Sequence, residues 1–199
     1  MRKFFSLSQC FLFCLVLLFS FKSFATDCPS GGITSSIACT GNISTNDLHV
    51  YGINLNNSSS TNNSKTVNMT GNVTATGVSS SHGINSDNSS GASNTNTVNI
   101  TGNITTIGPL SHSRGIYLTN TQGANNTSVV NMTGDIASSG YFPEGITLNN
   151  NSGASNTNTV NMIGNVTATS SMSNAMGISL YNVNGANDTN TLNIAGNIM

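Results

Sequence analysis

The chain has 199 residues, enough for one domain or one elongated repeat array, and only 6% of them are charged. Three of its five basic residues lie within the first 25, so the remainder keeps Lys65 and Arg114 against six acidic residues, a formal charge of −4. So few cations provide no surface for a phosphate backbone or an anionic membrane, which excludes nucleic acid and such membranes as partners.

Residues 1–25 have the pattern of a secretory signal peptide. Arg2 and Lys3 precede an apolar run at 11–19, and Ser23-Phe24-Ala25 forms a small-x-small cleavage site. The alternative is an uncleaved anchor helix, but the run is shorter than the roughly 20 residues that a bilayer requires. We therefore predict export, with no transmembrane segment in the mature chain.

Residues 26–40 form a predicted N-terminal cap segment that contains Cys28 and Cys39. An exported protein meets oxidising conditions, so these cysteines are expected to form a short-loop disulfide. The alternative is two free buried thiols. No histidine or further cysteine stands near enough in sequence to complete a zinc motif, and we predict no metal and no cofactor.

Residues 41–199 repeat with a period of 30–32 residues. Each unit contains Val-Asn-Met or a variant, then Gly-Asn-aliphatic, then Gly-Ile-x-Leu-x-Asn or a close variant, always in that order. The last Asn of one unit always precedes the next Val or Leu by ten residues, whereas the distance from Gly-Asn to Gly-Ile varies. A rigid part with one elastic corner is typical of stacked repeats, in which insertions fall on one face.

Alternating apolar and polar residues predict about three short strands in each unit, and the density of Asn, Ser, Gly and β-branched residues disfavours helix. We predict an all-β, single-stranded parallel β-solenoid of about five coils, with the last coil incomplete. Val67, Val98 and Val130 should stack in its interior. Corner asparagines should form a hydrogen-bonded ladder, as in stacked identical layers; its members are Asn57, Asn88, Asn120, Asn150 and Asn182. The alternative is a disordered linker, which has no need of fixed spacings.

The phrases GIYL, GASNTNTVN, ITGNIT and NVTATG resemble the passenger repeats of bacterial autotransporters and related β-helical surface adhesins. The likeness covers nearly all of residues 33–199 and rests on the repeat pattern rather than on a catalytic signature. It implies export and display at the surface of a Gram-negative cell, or release from it. The chain contains no C-terminal run of alternating strands of the kind that forms an outer-membrane barrel.

Catalytic chemistry has no clear basis in the sequence. β-Helical polysaccharide lyases and hydrolases need carboxylates at one register in neighbouring coils, and the six acids here do not align with each other. Each is interpreted as an isolated surface carboxylate, and Asp135 as a replacement for a corner Asn. We therefore predict a non-enzymatic protein; the alternative is a carbohydrate-active β-helix enzyme or its inactive remnant.

The elastic corner is the one varied part of the repeat, and function often resides on variable loops held by a rigid scaffold. Its aromatic, charged and large apolar residues form a predicted interaction surface, here called the corner ridge: Leu110, His112, Arg114, Tyr141, Phe142, Glu144, Met172 and Met176. The alternative is that these loops only tolerate change. The ridge predicts adhesion to a host-cell or matrix ligand, protein or glycan, by a secreted or cell-surface protein, or a periplasmic one if no translocator exists. The last coil could also stack on a second copy.

Overall fold

The computed structural model describes residues 26–57, 59, 61–170 and 172–199. The predicted signal peptide lies outside the described residues. Within them the chain forms thirteen strands and no helix. The strands are β1 (Thr26–Asp27), β2 (Ile37–Thr40), β3 (Ile43–Asn56), β4 (Ser64–Thr70), β5 (Val73–Asp87), β6 (Thr95–Thr101), β7 (Ile104–Thr121), β8 (Thr127–Thr133), β9 (Ile136–Asn151), β10 (Thr157–Ile163), β11 (Val166–Ser170), β12 (Met176–Val183) and β13 (Thr189–Ala195).

The strands stack as a parallel β-solenoid of about five turns, which confirms the predicted fold. Among the described residues, one sheet has the order β1-β2-β4-β6-β8-β10-β13 and the other the order β11-β9-β7-β5-β3, with β12 also paired to β9. Residues 37–40 pair in register with β4, so the first rung of the first sheet begins inside the predicted cap segment. Each strand therefore pairs with its counterpart one coil away.

The interior consists of columns of like side chains, as the alternating pattern predicts. Val67 pairs with Val98, Val98 with Val130, Val130 with Val160 and Val160 with Leu192. The four valines are at most 1% exposed. Burying a valine side chain contributes about 1.5–3 kcal/mol, so these columns supply much of the stability.

The structure differs from the predicted three short strands in one respect. The second and third strands of each unit run on as one long strand in β3, β5, β7 and β9, and they remain separate only as β11 and β12. The elastic corner lies inside the long strand, where the pairing register shifts, for example between Gly108 and His112. A bulge absorbs the extra residues while the pairing on both sides is kept.

The predicted asparagine ladder is present, and it is buried except at Asn182 in the last coil. Asn88 Nδ2 donates to Asn120 Oδ1 at 3.0 Å, Asn120 Nδ2 to Asn150 Oδ1 at 3.2 Å, and Asn150 Nδ2 to Asn182 Oδ1 at 3.3 Å. Asn57 joins the ladder through Asn96, whose amide lies between Asn57 and Asn88. These bonds satisfy amides that would otherwise be costly to bury.

Three further columns of Asn and Asp side chains run along the axis, in addition to the predicted ladder. The outward column Asn68, Asn99, Asn131, Asn161 and Asn193 is joined side chain to side chain at 2.7–2.8 Å. In the other two columns a side-chain oxygen accepts the backbone N–H of the equivalent residue in a neighbouring coil, except at Asn197 and Asn63, which only donate. The columns are Asn42, Asn72, Asn103, Asp135, Asn165 and Asn197, and Asn63, Asn94, Asn126, Asn156 and Asp188.

The predicted disulfide between Cys28 and Cys39 is present and links residues 11 apart, tying the N-terminal segment to β2. Reduction should lower the free energy of unfolding by about 2–3 kcal/mol, because an open loop gives the unfolded chain more conformations. Urea denaturation of the chain without residues 1–25, with and without a phosphine reductant, would measure the change. A double Cys→Ser variant, which should not respond to reductant, is the control, and equal midpoints for the oxidised and reduced native chain would contradict the prediction.

Candidate functional site

The site is built on the column that directly follows the elastic corner. Strand pairing places Tyr51 beside His82, His82 beside Arg114, Arg114 beside Glu144, and Glu144 beside Met176. Each of the five residues immediately precedes the glycine of a Gly-Ile phrase. The interior column of Val67, Val98, Val130 and Val160 repeats one residue type, whereas this column changes in every coil and therefore presents aromatic, charged and thioether groups in succession.

Arg114 and Glu144 form an ion pair in this column. The Arg114 guanidinium also lies over the Tyr117 ring, 4.6 Å from its centroid, which is a cation–π arrangement. Glu144 accepts a hydrogen bond from the Thr147 hydroxyl at 2.9 Å. The side chains are 18% and 5% exposed, so the pair is mostly shielded from water and is held in one geometry.

The burial of Glu144 corrects its interpretation as an isolated surface carboxylate. The residue is 4% exposed, and its charge is matched by one of the two cations outside the predicted signal peptide. Arg114 and Glu144 both directly precede a Gly-Ile pair, so the sequence contained the signal for this contact. A comparison of the acidic residues only with one another did not reveal this ion pair.

His82 lies in the same column, enclosed by aromatic rings. It is 6% exposed, and the rings of Tyr51 and Tyr117 meet it edge-on at 5.2 and 5.4 Å between centroids. Burial, reinforced by the charge of Arg114, lowers the pKa of His82 from 6.5 to about 3, although a hydrogen bond with Asn85 opposes the shift. His82 is therefore neutral at physiological pH. Its Nδ1 has no hydrogen-bond partner among the described residues.

The buried neutral histidine predicts acid sensitivity. Below pH 6.5 the unfolded chain takes up a proton that folded His82 refuses down to about pH 3, so stability falls as the pH drops through this window. The loss attributable to His82 should approach about 1.4 kcal/mol per pH unit. Urea denaturation at pH 6.5 and 4.5 would measure it, and His82→Gln should remove most of the slope. His49→Gln, at an exposed position, is the control; a native-like slope in the His82 variant would contradict the prediction.

A second aromatic group stands on the corner itself. His112 and Phe142 stack at 5.5 Å between ring centroids, and Tyr141 meets Phe142 edge-on at 4.4 Å. Phe142 remains 39% exposed despite these contacts. An exposed aromatic cluster held by a rigid scaffold is a surface on which a partner can bury apolar area at little entropic cost.

The column and the corner enclose a shallow depression of about 460 Å³, here called the aromatic depression. It is lined by His112, Arg114, Tyr117, Glu144, Thr147, Asn149, Met176, Tyr181 and Val183. Four of these belong to the predicted corner ridge. Tyr117, Tyr181 and Thr147 were missed because they follow the Gly-Ile marker on the regular part of the strand, although stacking residues by their distance from that marker would have found them.

Only some residues of the corner ridge therefore belong to a single site. Leu110 and Met172 are 69% and 76% exposed, and neither lines the aromatic depression. Tyr141 and Phe142 form the aromatic group at its border. The structure thus divides the ridge into a lined depression, an aromatic border and two projecting apolar side chains.

In the described part of the chain, no group of three or more His, Cys, Asp or Glu side chains is placed to hold a metal ion. The described residues also include no helix long and apolar enough to span a membrane. No protein-family model matches the chain, and comparisons with curated proteins and with solved structures find no significant match.

Proposed function

We propose that this chain is an exported, non-enzymatic β-solenoid that binds a partner at a cell or matrix surface through its corner ridge and aromatic depression. The observation that carries the proposal is the column in which Arg114, Glu144 and Met176 replace one another on successive rungs. Stacking does not require such variety, since the buried column of Val67, Val98, Val130 and Val160 keeps one residue type on successive rungs. The resemblance to autotransporter passengers supports export and surface display.

The depression suits a protein or glycan ligand more than an ion. Its walls combine the Tyr117 and Tyr181 rings with the matched charges of Arg114 and Glu144, so the local net charge is close to zero. Aromatic and arginine side chains are the residues that most often dominate binding energy at protein interfaces. Aromatic rings also stack on the apolar faces of other molecules.

The test measures binding of the fluorescently labelled exported chain to cultured epithelial cells and to immobilised fibronectin, laminin and collagen. Combined Tyr141→Ser and Phe142→Ser substitutions should weaken binding at least about tenfold, as expected for loss of two aromatic anchors. Leu48→Ser, at a 55% exposed apolar position of β3 outside both the corner ridge and the aromatic depression, is the control and should bind normally. Unchanged binding by the double variant, or no binding by the native chain, would overturn the proposal.

The enzymatic alternative makes a different prediction. If the chain cleaved a polysaccharide and Glu144→Gln or Asp135→Asn abolished cleavage, the non-enzymatic proposal would be wrong. Glutamine keeps the shape of Glu144 without its charge, and asparagine is the residue that the other coils carry at the position of Asp135. Neither substitution should therefore remove the fold along with the activity.

A further inference from the structure

A second surface lies on the first sheet, away from the corner ridge, and is lined by side chains that repeat from coil to coil. A groove of about 1100 Å³ runs along the outer face of the first sheet and crosses every coil from Ala38 to Ala195. One wall is the outward asparagine column, represented by Asn99 and Asn131, and the other is a column of hydroxyls, represented by Thr101 and Thr133. We call it the Asn–Thr groove.

The asparagine wall keeps unused hydrogen-bonding capacity on every inner rung. Each side-chain amide has two N–H donors and an oxygen with two lone pairs. Asn131 donates one N–H to Asn99 at 2.7 Å and accepts one from Asn161 at 2.8 Å. One donor and one acceptor site therefore remain on each such amide, directed by a ladder that already fixes the side chain.

The threonine wall adds a hydroxyl at the same spacing on the first four rungs, from Thr40 to Thr133, and carries Ile163 and Ala195 on the last two. Thr70, Thr101 and Thr133 occupy successive rungs in register and are exposed. Adjacent rungs are roughly 4.8 Å apart, so the five steps of the groove extend over about 24 Å. The residues that line it include no charged side chain. An ionic ligand would find no partner here, whereas a neutral one with many hydroxyl groups would find donors and acceptors at a constant interval.

We propose that the Asn–Thr groove binds a neutral, linear, β-linked polysaccharide along the solenoid axis. The sugar units of such a chain repeat at close to the spacing of the rungs, so successive units can make the same contacts to successive coils. The amides and the threonine hydroxyls bind sugar hydroxyls, and the preformed ladder limits the entropy lost on binding. This proposal is independent of the corner ridge, which lies on the other sheet.

Affinity gel electrophoresis of the full exported chain tests the proposal, with hydroxyethylcellulose in the gel as the neutral β-1,4-glucan. The native chain should be retarded, and α-linked dextran should retard it far less. Thr101→Val with Thr133→Val removes two hydroxyls without blocking the groove, and should weaken retardation about tenfold. Thr74→Val with Thr105→Val makes the same change on two adjacent rungs of the second sheet, and should leave retardation unchanged.

The opposite results would overturn the proposal. Absence of retardation by hydroxyethylcellulose, or an equal loss in the two paired variants, would remove the glycan from this groove. If the native chain self-associates in sedimentation and the Thr101/Thr133 variant does not, the face binds a second copy instead. If the native chain shapes ice crystals, the face binds ice. The two proposals can fail separately. If the Tyr141/Phe142 variant loses cell binding and the Thr101/Thr133 variant retains it, the result concerns the corner ridge alone.

Discussion

Replacing Gly102 with alanine should lower the free energy of unfolding by more than about 4 kcal/mol, enough to prevent folded protein from accumulating. Gly102 has φ +149°, and a Cβ there would lie 2.0 Å from the carbonyl oxygen of Gly71 in the coil below. That atom is backbone and is itself fixed in the stack, so neither neighbour can move without breaking the rung. The added strain and clash have no route of relief.

Circular dichroism and urea denaturation would measure this effect, with Gly31→Ala as the matched control. A Cβ at Gly31 would have no heavy atom within 4 Å, apart from its immediate chain neighbours, so this variant should unfold like the native protein. A Gly102→Ala protein within about 1 kcal/mol of native would show that the turn between β6 and β7 is less constrained than the close approach indicates.

Replacing Asn120 with aspartate, which exchanges a single NH₂ for an oxygen, should destabilise the protein by about 4 kcal/mol or more at neutral pH. Asn120 is 0% exposed, and its Nδ2 donates to Asn150 Oδ1, Asn158 Oδ1 and the Thr157 carbonyl at 3.2, 2.8 and 3.3 Å. Aspartate would point an acceptor at these acceptors and would bury an uncompensated charge.

Asn72→Asp is the matched control for this prediction. The Asn72 oxygen accepts the backbone N–H of Asn103 at 2.8 Å on an exposed corner, a role that a carboxylate fills equally well. It should change stability by less than about 1 kcal/mol. Urea midpoints at pH 7 would measure both variants, and acidification should partly rescue Asn120→Asp by restoring one donor. Equal midpoints for the two variants would contradict the argument.

The contrast between these two substitutions depends on whether the asparagine side chain accepts or donates its hydrogen bonds. Aspartate replaces asparagine naturally at Asp135 and Asp188, and both positions lie in columns where the side chain accepts a backbone N–H. The column of Asn57, Asn88 and Asn120, where Nδ2 donates, contains asparagine in every coil. In the column of Asp188 the other coils also donate through Nδ2, from Asn126 to the Gly91 carbonyl for example, so hydrogen-bond direction alone explains aspartate only in the exposed column of Asp135.

The repeat alone was enough to predict the solenoid, the stacked valines and the asparagine ladder from Asn57 to Asn182. In-register parallel pairing places equivalent residues over one another, so a fixed spacing in sequence becomes a fixed position in space. The disulfide was also predictable, because only two cysteines remain outside the predicted signal peptide. These features depend on identical residues recurring at identical distances.

The candidate site consists of residues that differ from one coil to the next, so the repeat pattern does not predict their contacts. The fold decided that Arg114 meets Glu144 and lies over Tyr117, that tyrosines enclose His82, and that the Asn99 and Thr101 columns border an open groove. Periodicity predicts which residues share a column. The contacts between unlike side chains depend on how the elastic corner bends and how the coils pack, and only the tertiary structure determines both.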